Sequence, residues 1–269
     1  MPRLDVIGNI SIDHTRYPDG RTIRLIGGAA LHTAAAAHRA GLPAAPVSVV
    51  GTDLAHLPDD PRLTALDWSG ITVVDGRSAQ FTIEYDTLGC VSSLAAEYGV
   101  ADGLTRHGLA WIDAHTADAV HVCCRRPLDA APVLAALAEA GWRFSLDFFV
   151  SSAKQMIDQA APFLPEAVAV FVNAAEHALL TDVVPSRQLR LVVVSDGARP
   201  VRLLRRGRLA AQARPPQTTA VEVTGAGDTL AGTFLAAVAA GASDGVALRQ
   251  AVAAATDHVG APALALEDR

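Results

Sequence analysis

The residues with the sharpest chemical meaning are Val223-Thr224-Gly225-Ala226-Gly227-Asp228, directly ahead of the small-residue run TLAGTFLAAVAAG. Gly225, Ala226 and Gly227 leave the backbone uncrowded where a helix is about to begin, so several N–H groups point outward without intrahelical acceptors. Such a helix start binds phosphate oxygens and stabilises negative charge. Asp228 is out of place at a plain anion site, because its charge repels phosphate. It fits if a hydroxyl must lose its proton beside an arriving phosphoryl group. The competing reading is a tight turn in which Asp228 caps the helix, and the segment by itself leaves both open.

Two better-known phosphate motifs are absent. No G-x-x-x-x-G-K-[ST] run occurs, and the glycine-rich turn near 225 lacks the spacing, the following strand and the ribose-binding acid of a dinucleotide site. The single lysine is Lys154, so a phosphate site here must use arginine, backbone N–H groups or a metal. Arg125 and Arg126 follow an apolar strand at 118–123, at the strand end where open α/β sheets bind ligands. They read as a solvated pair or, for Arg125, as a contact to an anionic or strongly polar substrate. Gly27 and Gly28 either cap a turn or let a hydroxylated ligand reach backbone amides. Phe81, Ile83 and Tyr85 share one strand face and read as core or lid packing rather than substrate stacking.

Composition removes several function classes. Net charge of −6 argues against general nucleic-acid binding. No apolar run approaches the ~18 residues of a membrane span, and residues 1–13 lack a signal-peptide pattern, so a cytoplasmic protein is expected. Cys90, Cys123 and Cys124 form neither a disulfide framework nor a zinc pattern.

The elements that must hold these residues read as one α/β domain over 1–269. Residues 3–12 look like a buried first strand, 29–40 a small-residue helix ended by Gly41, and 47–50 a strand. From 117 the pattern is regular: strands at 118–123, 143–148, 168–172 and 190–195, helices at 128–140 and near 152–160, a hairpin near 200–213, then helices at 227–240 and 244–258. This alternation predicts a doubly wound, mostly parallel sheet flanked by helices. Polar strand pieces at about 11–26 and 72–95 do not suit that sheet and are expected to form a small β-lid.

TGAGD ahead of a small-residue helix resembles the C-terminal signature of the PfkB, or ribokinase-like, carbohydrate kinases. GNISID at 8–13, GGAALHTAAAAHRAG at 27–41, Val50-Gly51-Thr52-Asp53, Asn173-Ala174-Ala175-Glu176 and Ser195-Asp196-Gly197 resemble further family elements in the family's order. The resemblance implies an ATP-dependent kinase with Asp228 as general base and Gly225, Ala226 and Gly227 as the anion hole. It implies substrate contacts at Asp13, Gly27, Gly28, His32 and Arg125, and Mg²⁺ held at Asn173 and Glu176 through water. Ser195, Gly197, Thr224 and Gly260 would border the nucleotide, with His258 beside the adenine pocket.

The chain departs from the family pattern at His32, Glu222, Pro200 and Asp147-Phe148-Phe149. The expected acceptor is a hydroxyl of a sugar, cyclitol or other polyol, and because the GGAA variant resembles the inositol-kinase branch, a cyclitol or related polyol is favoured. Only three tyrosines and three tryptophans are present, which argues against a nucleoside base pocket. A nucleoside kinase and a non-catalytic ligand sensor remain the alternatives, and a homodimer through the lid is left open.

Overall fold

The computed structural model describes residues 3–86, 91–219, 223–261 and 264–266. Its first strand, β1 (Leu4–Ile7), is fully buried. The chain then leaves that sheet at Gly8, where a Cβ would lie 2.9 Å from Cys123 Cβ. It enters a second sheet as β2 (Ser11–Arg16) and β3 (Thr22–Gly27). The 3–12 segment is therefore two strands in two sheets rather than one. Helix α1 (Ala29–Arg39), strand β4 (Ala44–Gly51) and strand β5 (Ile71–Val74) return to the large sheet, and β6 (Ala79–Tyr85) and β7 (Val91–Glu97) complete the small one.

The second half runs α2 (Leu104–Ala114), β8 (Ala119–Cys124), α3 (Ala130–Glu139), β9 (Phe144–Phe148), α4 (Ala153–Ala160), β10 (Ala169–Asn173) and α5 (Ala174–Val183). It closes with β11 (Val192–Ser195), the hairpin β12 (Val201–Arg205) and β13 (Arg208–Ala213), then α6 (Ala226–Ala239) and α7 (Asp244–Gly260). The large sheet has the order β13-β12-β11-β10-β9-β8-β1-β4-β5, parallel from β5 to β11, with β12 and β13 antiparallel at one edge. The small sheet has the order β3-β2-β6-β7.

The parallel strands from β4 to β11 are buried on both faces, as strands covered by helices must be, while the outer strand β5 is largely exposed. Alternate residues feed different cores. Val170 and Val172 pack under α2 to α5, while Ala169 and Phe171 face α6 and α7. The doubly wound reading and the second, smaller sheet are thus correct, with two differences of extent. Ile71–Val74 pairs with β4 as the outer strand of the large sheet, and the small sheet runs on to Glu97.

Two helices go unread in the sequence. Gly108 interrupts the apolar pattern of α2, yet a Cβ there would meet Ile7 Cγ2 at 3.3 Å, so the glycine lets the helix seat on β1. Helix α5 opens on the Asn173 and Glu176 polar pair, which hides its start.

The small sheet is anchored to the large one at the V-G-x-D segment. Asp53 Oδ1 accepts from Ser78 N at 3.0 Å and from Ser78 Oγ at 2.6 Å, fixing the approach to β6. Among the described residues, no helix is long and apolar enough to cross a membrane.

Candidate active site

The C-terminal ends of β8 to β11 and the starts of α5 and α6 open into a cavity of about 630 Å³, which the small sheet covers with Asp13, Phe81, Ile83 and Leu94. Asp228, Gly225, Gly227 and Thr224 line it from the α6 start. Gly28, His32, Arg125, Asn173, Glu176 and Ser195 line it elsewhere.

The α6 start has the form the sequence suggests. Gly225 takes φ 82, ψ 0, the left-handed region open to glycine. The first i to i−4 bond runs from Thr229 N to Gly225 O at 2.8 Å, so the N–H groups of Gly227 and Asp228 have no intrahelical acceptor. The Ala226 N–H is turned back to Val223 O at 3.3 Å, which removes it from the free donors. Two histidines back this loop. His258 Nε2 donates to the Thr224 carbonyl at 2.7 Å, and a Cβ on Gly225 would lie 2.9 Å from His32 Cγ. The two rings meet edge to face at 5.6 Å. His258 is therefore a support of the Gly225 loop. Helix α6 lies backbone to backbone on α1: a Cβ at Gly232 would fall 2.2 Å from Thr33 O.

Asp228 is buried and meets Arg125, whose Nη2 lies 3.1 Å from Asp228 Oδ1. The same nitrogen donates to Asp147 Oδ2. Arg125 thus points inward to two acids and its guanidinium lies 5.5 Å from the Phe149 ring centroid, while Arg126 turns outward to Gln155. Burial pushes the Asp228 carboxyl up, with Arg125 opposing and the Asp147 charge adding to the rise. Burial also acts on Asp147, yet Arg125 and His121 hold that carboxyl below its ordinary range. The sequence reading missed Asp147 and His121 as part of this cluster. Only the strand register shows the cluster: Cys123 and Asp147 are partners in neighbouring strands, so Arg125 leaves β8 beside an acid.

Asp13 is buried on β2 and accepts from Ser11 Oγ at 2.7 Å. A Cβ on Gly27 would fall 2.1 Å from Asp13 Oδ2, so that glycine makes room for the carboxylate. Gly28 has φ 104, and a Cβ there would lie 2.4 Å from Asn9 O. The di-glycine is thus demanded by packing, with Gly28 alone of the two lining the cavity.

Asn173 and Glu176 form a reciprocal capping box at the start of α5. Asn173 Oδ1 accepts from Glu176 N at 2.9 Å, and Glu176 Oε2 accepts from Asn173 N at 2.8 Å. Burial, with Asp147 and Asp228 adding repulsion, pushes the Glu176 carboxyl up to about 7. A divalent cation beside the cavity would return it to the ionised form. That electrostatic need fits the pair to a metal, though one Glu176 oxygen is already taken by the cap.

Gly197, Ala226 and Gly260 do not line the cavity. Gly197 turns at φ 55 after β11, and a Cβ on Gly260 would meet Thr218 Oγ1 at 2.8 Å. Glu222 lies outside the described residues. One further group of possible ligand atoms, on His121, Cys123 and Asp147, lies within 4.8 Å beneath the cavity. Asp147 is committed to Arg125, and burial holds the Cys123 thiol protonated, so the group reads as a buried polar core. Phe81 and Ile83 face the cavity rather than only packing the lid, and Phe81 meets Tyr98 edge to face at 6.3 Å.

Known proteins resemble this chain in sequence and in fold. A cytidine kinase from Thermococcus kodakarensis is 29% identical over 259 residues, covering 90% of each chain. The Burkholderia thailandensis nucleoside kinase in complex with inosine superposes with a TM-score of 0.79 at 20% identity, over 96% of this chain and 91% of that one. An E. coli structure assigned as ribokinase II, in complex with ATP and Mg²⁺, gives a TM-score of 0.79 at 18% identity, over 98% and 94% of the two chains. The profile of the pfkB family carbohydrate kinases matches residues 1–264. The chain therefore belongs to the pfkB family of carbohydrate kinases and is a phosphotransferase with a hydroxyl group as acceptor.

Proposed function

We propose that the protein phosphorylates a hydroxyl of a nucleoside at the expense of ATP. The observation that carries this reading is one cavity holding both a buried acid at a helix start, Asp228, and an apolar, aromatic cover of Phe81, Ile83, Leu94 and Tyr98. A free polyol offers that cover only a small C–H face, whereas a base offers a flat aromatic ring. The 29% identity to a cytidine kinase supports the same acceptor class. A count of tyrosines and tryptophans does not register this cover, because Phe81, Phe148, Phe149 and Phe171 also line the cavity.

In this reading Asp13 and the backbone at Gly28 receive acceptor hydroxyls, and His32 borders them. Asp228 takes the hydroxyl proton as that oxygen bonds to the γ-phosphorus and the bond to the departing ADP oxygen breaks. The N–H groups of Gly227 and Asp228, with Gly225 shaping the turn, receive the negative charge of the moving group. Mg²⁺ supplies charge neutralisation on the phosphates. Asn173 and Glu176 would hold its hydration shell, since Mg²⁺ keeps several waters. Ser195 and Thr224 would border the nucleotide.

A coupled ATPase assay with cytidine, adenosine, inosine, ribose and inositol tests the reading. A nucleoside should exceed ribose and inositol in kcat/KM by at least about tenfold, the worth of one well-placed apolar contact. A free sugar or cyclitol as the better acceptor would overturn it, and saturable binding without turnover would favour the sensor.

A further inference from the structure

Three buried carboxyl groups gather at the base of the cavity: Asp147 on β9, Glu176 on α5 and Asp228 on α6. An anionic phosphoryl group has to arrive beside them. The cation that meets two of them is Arg125, whose side chain is only 15% exposed. Behind it, His121 Nε2 lies 3.7 Å from Asp147 Oδ1, and His121 Nδ1 lies 2.9 Å from Ser145 Oγ. His121 Nε2 and Asp147 Oδ1, neither of which has another hydrogen-bond partner among the described residues, face each other across that distance.

We propose that Arg125, held in place by Asp147, is a positioning residue that fixes Asp228 and offsets its charge, so that a base can stand where a phosphoryl group arrives. This rests on Asp228 being the base. It replaces the expectation that Arg125 reads the substrate. Without Arg125, Asp147 and Asp228 are two like charges in one buried site, and one must take up a proton. A protonated Asp228 is no base. An arginine suits the place because its charge does not titrate and its planar head keeps a fixed orientation against Phe149.

The groups that face Asp228 are Arg125, His121 and Cys123 from β8 and its exit, Asp147 from β9, and Glu176 from α5. His32 of α1 and His258 of α7 abut the Gly225 loop before it, and Asp13 of β2 lines the same cavity. Their charges have opposite effects on the base. Arg125 lowers the Asp228 pKa, whereas Asp147 raises it.

The test is a ¹³C NMR titration of aspartate carboxyls in the substrate-free protein, with Asp228→Asn identifying the Asp228 signal. In Arg125→Ala the Asp228 midpoint should rise by about one unit or more, the usual effect of an opposite charge at this distance. In Asp147→Asn it should fall. Arg125→Lys, which keeps the charge and guards against a misfolded alanine variant, should stay near wild type. An Asp228 midpoint that does not move in Arg125→Ala overturns the proposal.

Kinetics separate the two roles. With ATP and the nucleoside preferred in the panel, Arg125→Ala should lower kcat about 10- to 100-fold with acceptor KM within about threefold. A rise in KM at unchanged kcat would restore the substrate contact instead. Failure of the base assignment looks different: Asp228→Asn would then keep wild-type turnover whatever Arg125 does.

Discussion

Arg125 Nη2 lies 3.1 Å from Asp228 Oδ1 and donates with the same nitrogen to Asp147 Oδ2, so one guanidinium joins acids from β9 and α6. The large sheet and helix α6 are thereby tied through one guanidinium nitrogen. A base placed on a helix start needs such a tie, because the helix could otherwise shift relative to the strand ends that hold the other groups.

The contact between α1 and α6 should be intolerant of added volume. A Cβ at Gly232 would fall 2.2 Å from Thr33 O, an atom of the backbone that cannot swing away. Gly232→Ala should therefore destabilise by about 1–3 kcal/mol despite the better helix propensity of alanine. Urea denaturation measures this, and a stabilised variant would mean that the two helices do not pack this closely.

His258 should matter to turnover from outside the cavity. Its Nε2–H holds the Thr224 carbonyl at 2.7 Å, one residue before the left-handed Gly225. His258→Ala should cost about 1–2 kcal/mol of stability. It should lower kcat more than it raises acceptor KM, since on the proposed reading the loop carries the donors for the transferring group. Unchanged kcat with the expected loss of stability would make His258 structural only.

Glu176 sets a pH dependence of stability. Its folded-state carboxyl is pushed up to about 7, above the ordinary glutamate value of 4.5. Between those values the folded protein keeps a proton that the unfolded chain has lost. The contribution of this group to stability therefore falls as pH rises through that window and levels off above it. Glu176→Gln retains the capping acceptor without the charge. In metal-free buffer it should be the more stable protein at pH 8, by up to about 3 kcal/mol, with the gain vanishing near pH 4. An equal effect at both pH values would contradict this.

The aromatic cover should govern acceptor choice. Phe81 lines the cavity and meets Tyr98 edge to face. Phe81→Ala should raise the nucleoside KM about tenfold or more while leaving the KM for ATP within twofold, the pattern of lost binding area at the acceptor alone. Equal losses for both substrates would place the ring between them rather than over the acceptor.

The large sheet was legible because its strands are short apolar runs separated by helices, a pattern that burial on both faces imposes. The α6 start was legible because Gly225 must adopt a left-handed turn and the helix must follow at once. Other residues were readable only in type. Gly27 reads as a ligand contact, yet its missing side chain makes room for Asp13, a neighbour that only strand register reveals. Arg125 reads as a substrate contact because the acids that hold it lie 22 and 103 residues away in the chain. Phe81 reads as packing because one strand cannot show which of its faces looks onto a cavity.

The base assignment is tested most directly by single-turnover transfer from ATP to the preferred nucleoside by Asp228→Asn, alongside ATP binding by calorimetry. Asparagine keeps the shape of Asp228 and removes its capacity to take a proton. The account requires a fall in the transfer rate of about 10²–10⁴-fold with ATP affinity within about threefold of wild type. Transfer at the wild-type rate by a folded, ATP-binding Asp228→Asn protein would contradict it.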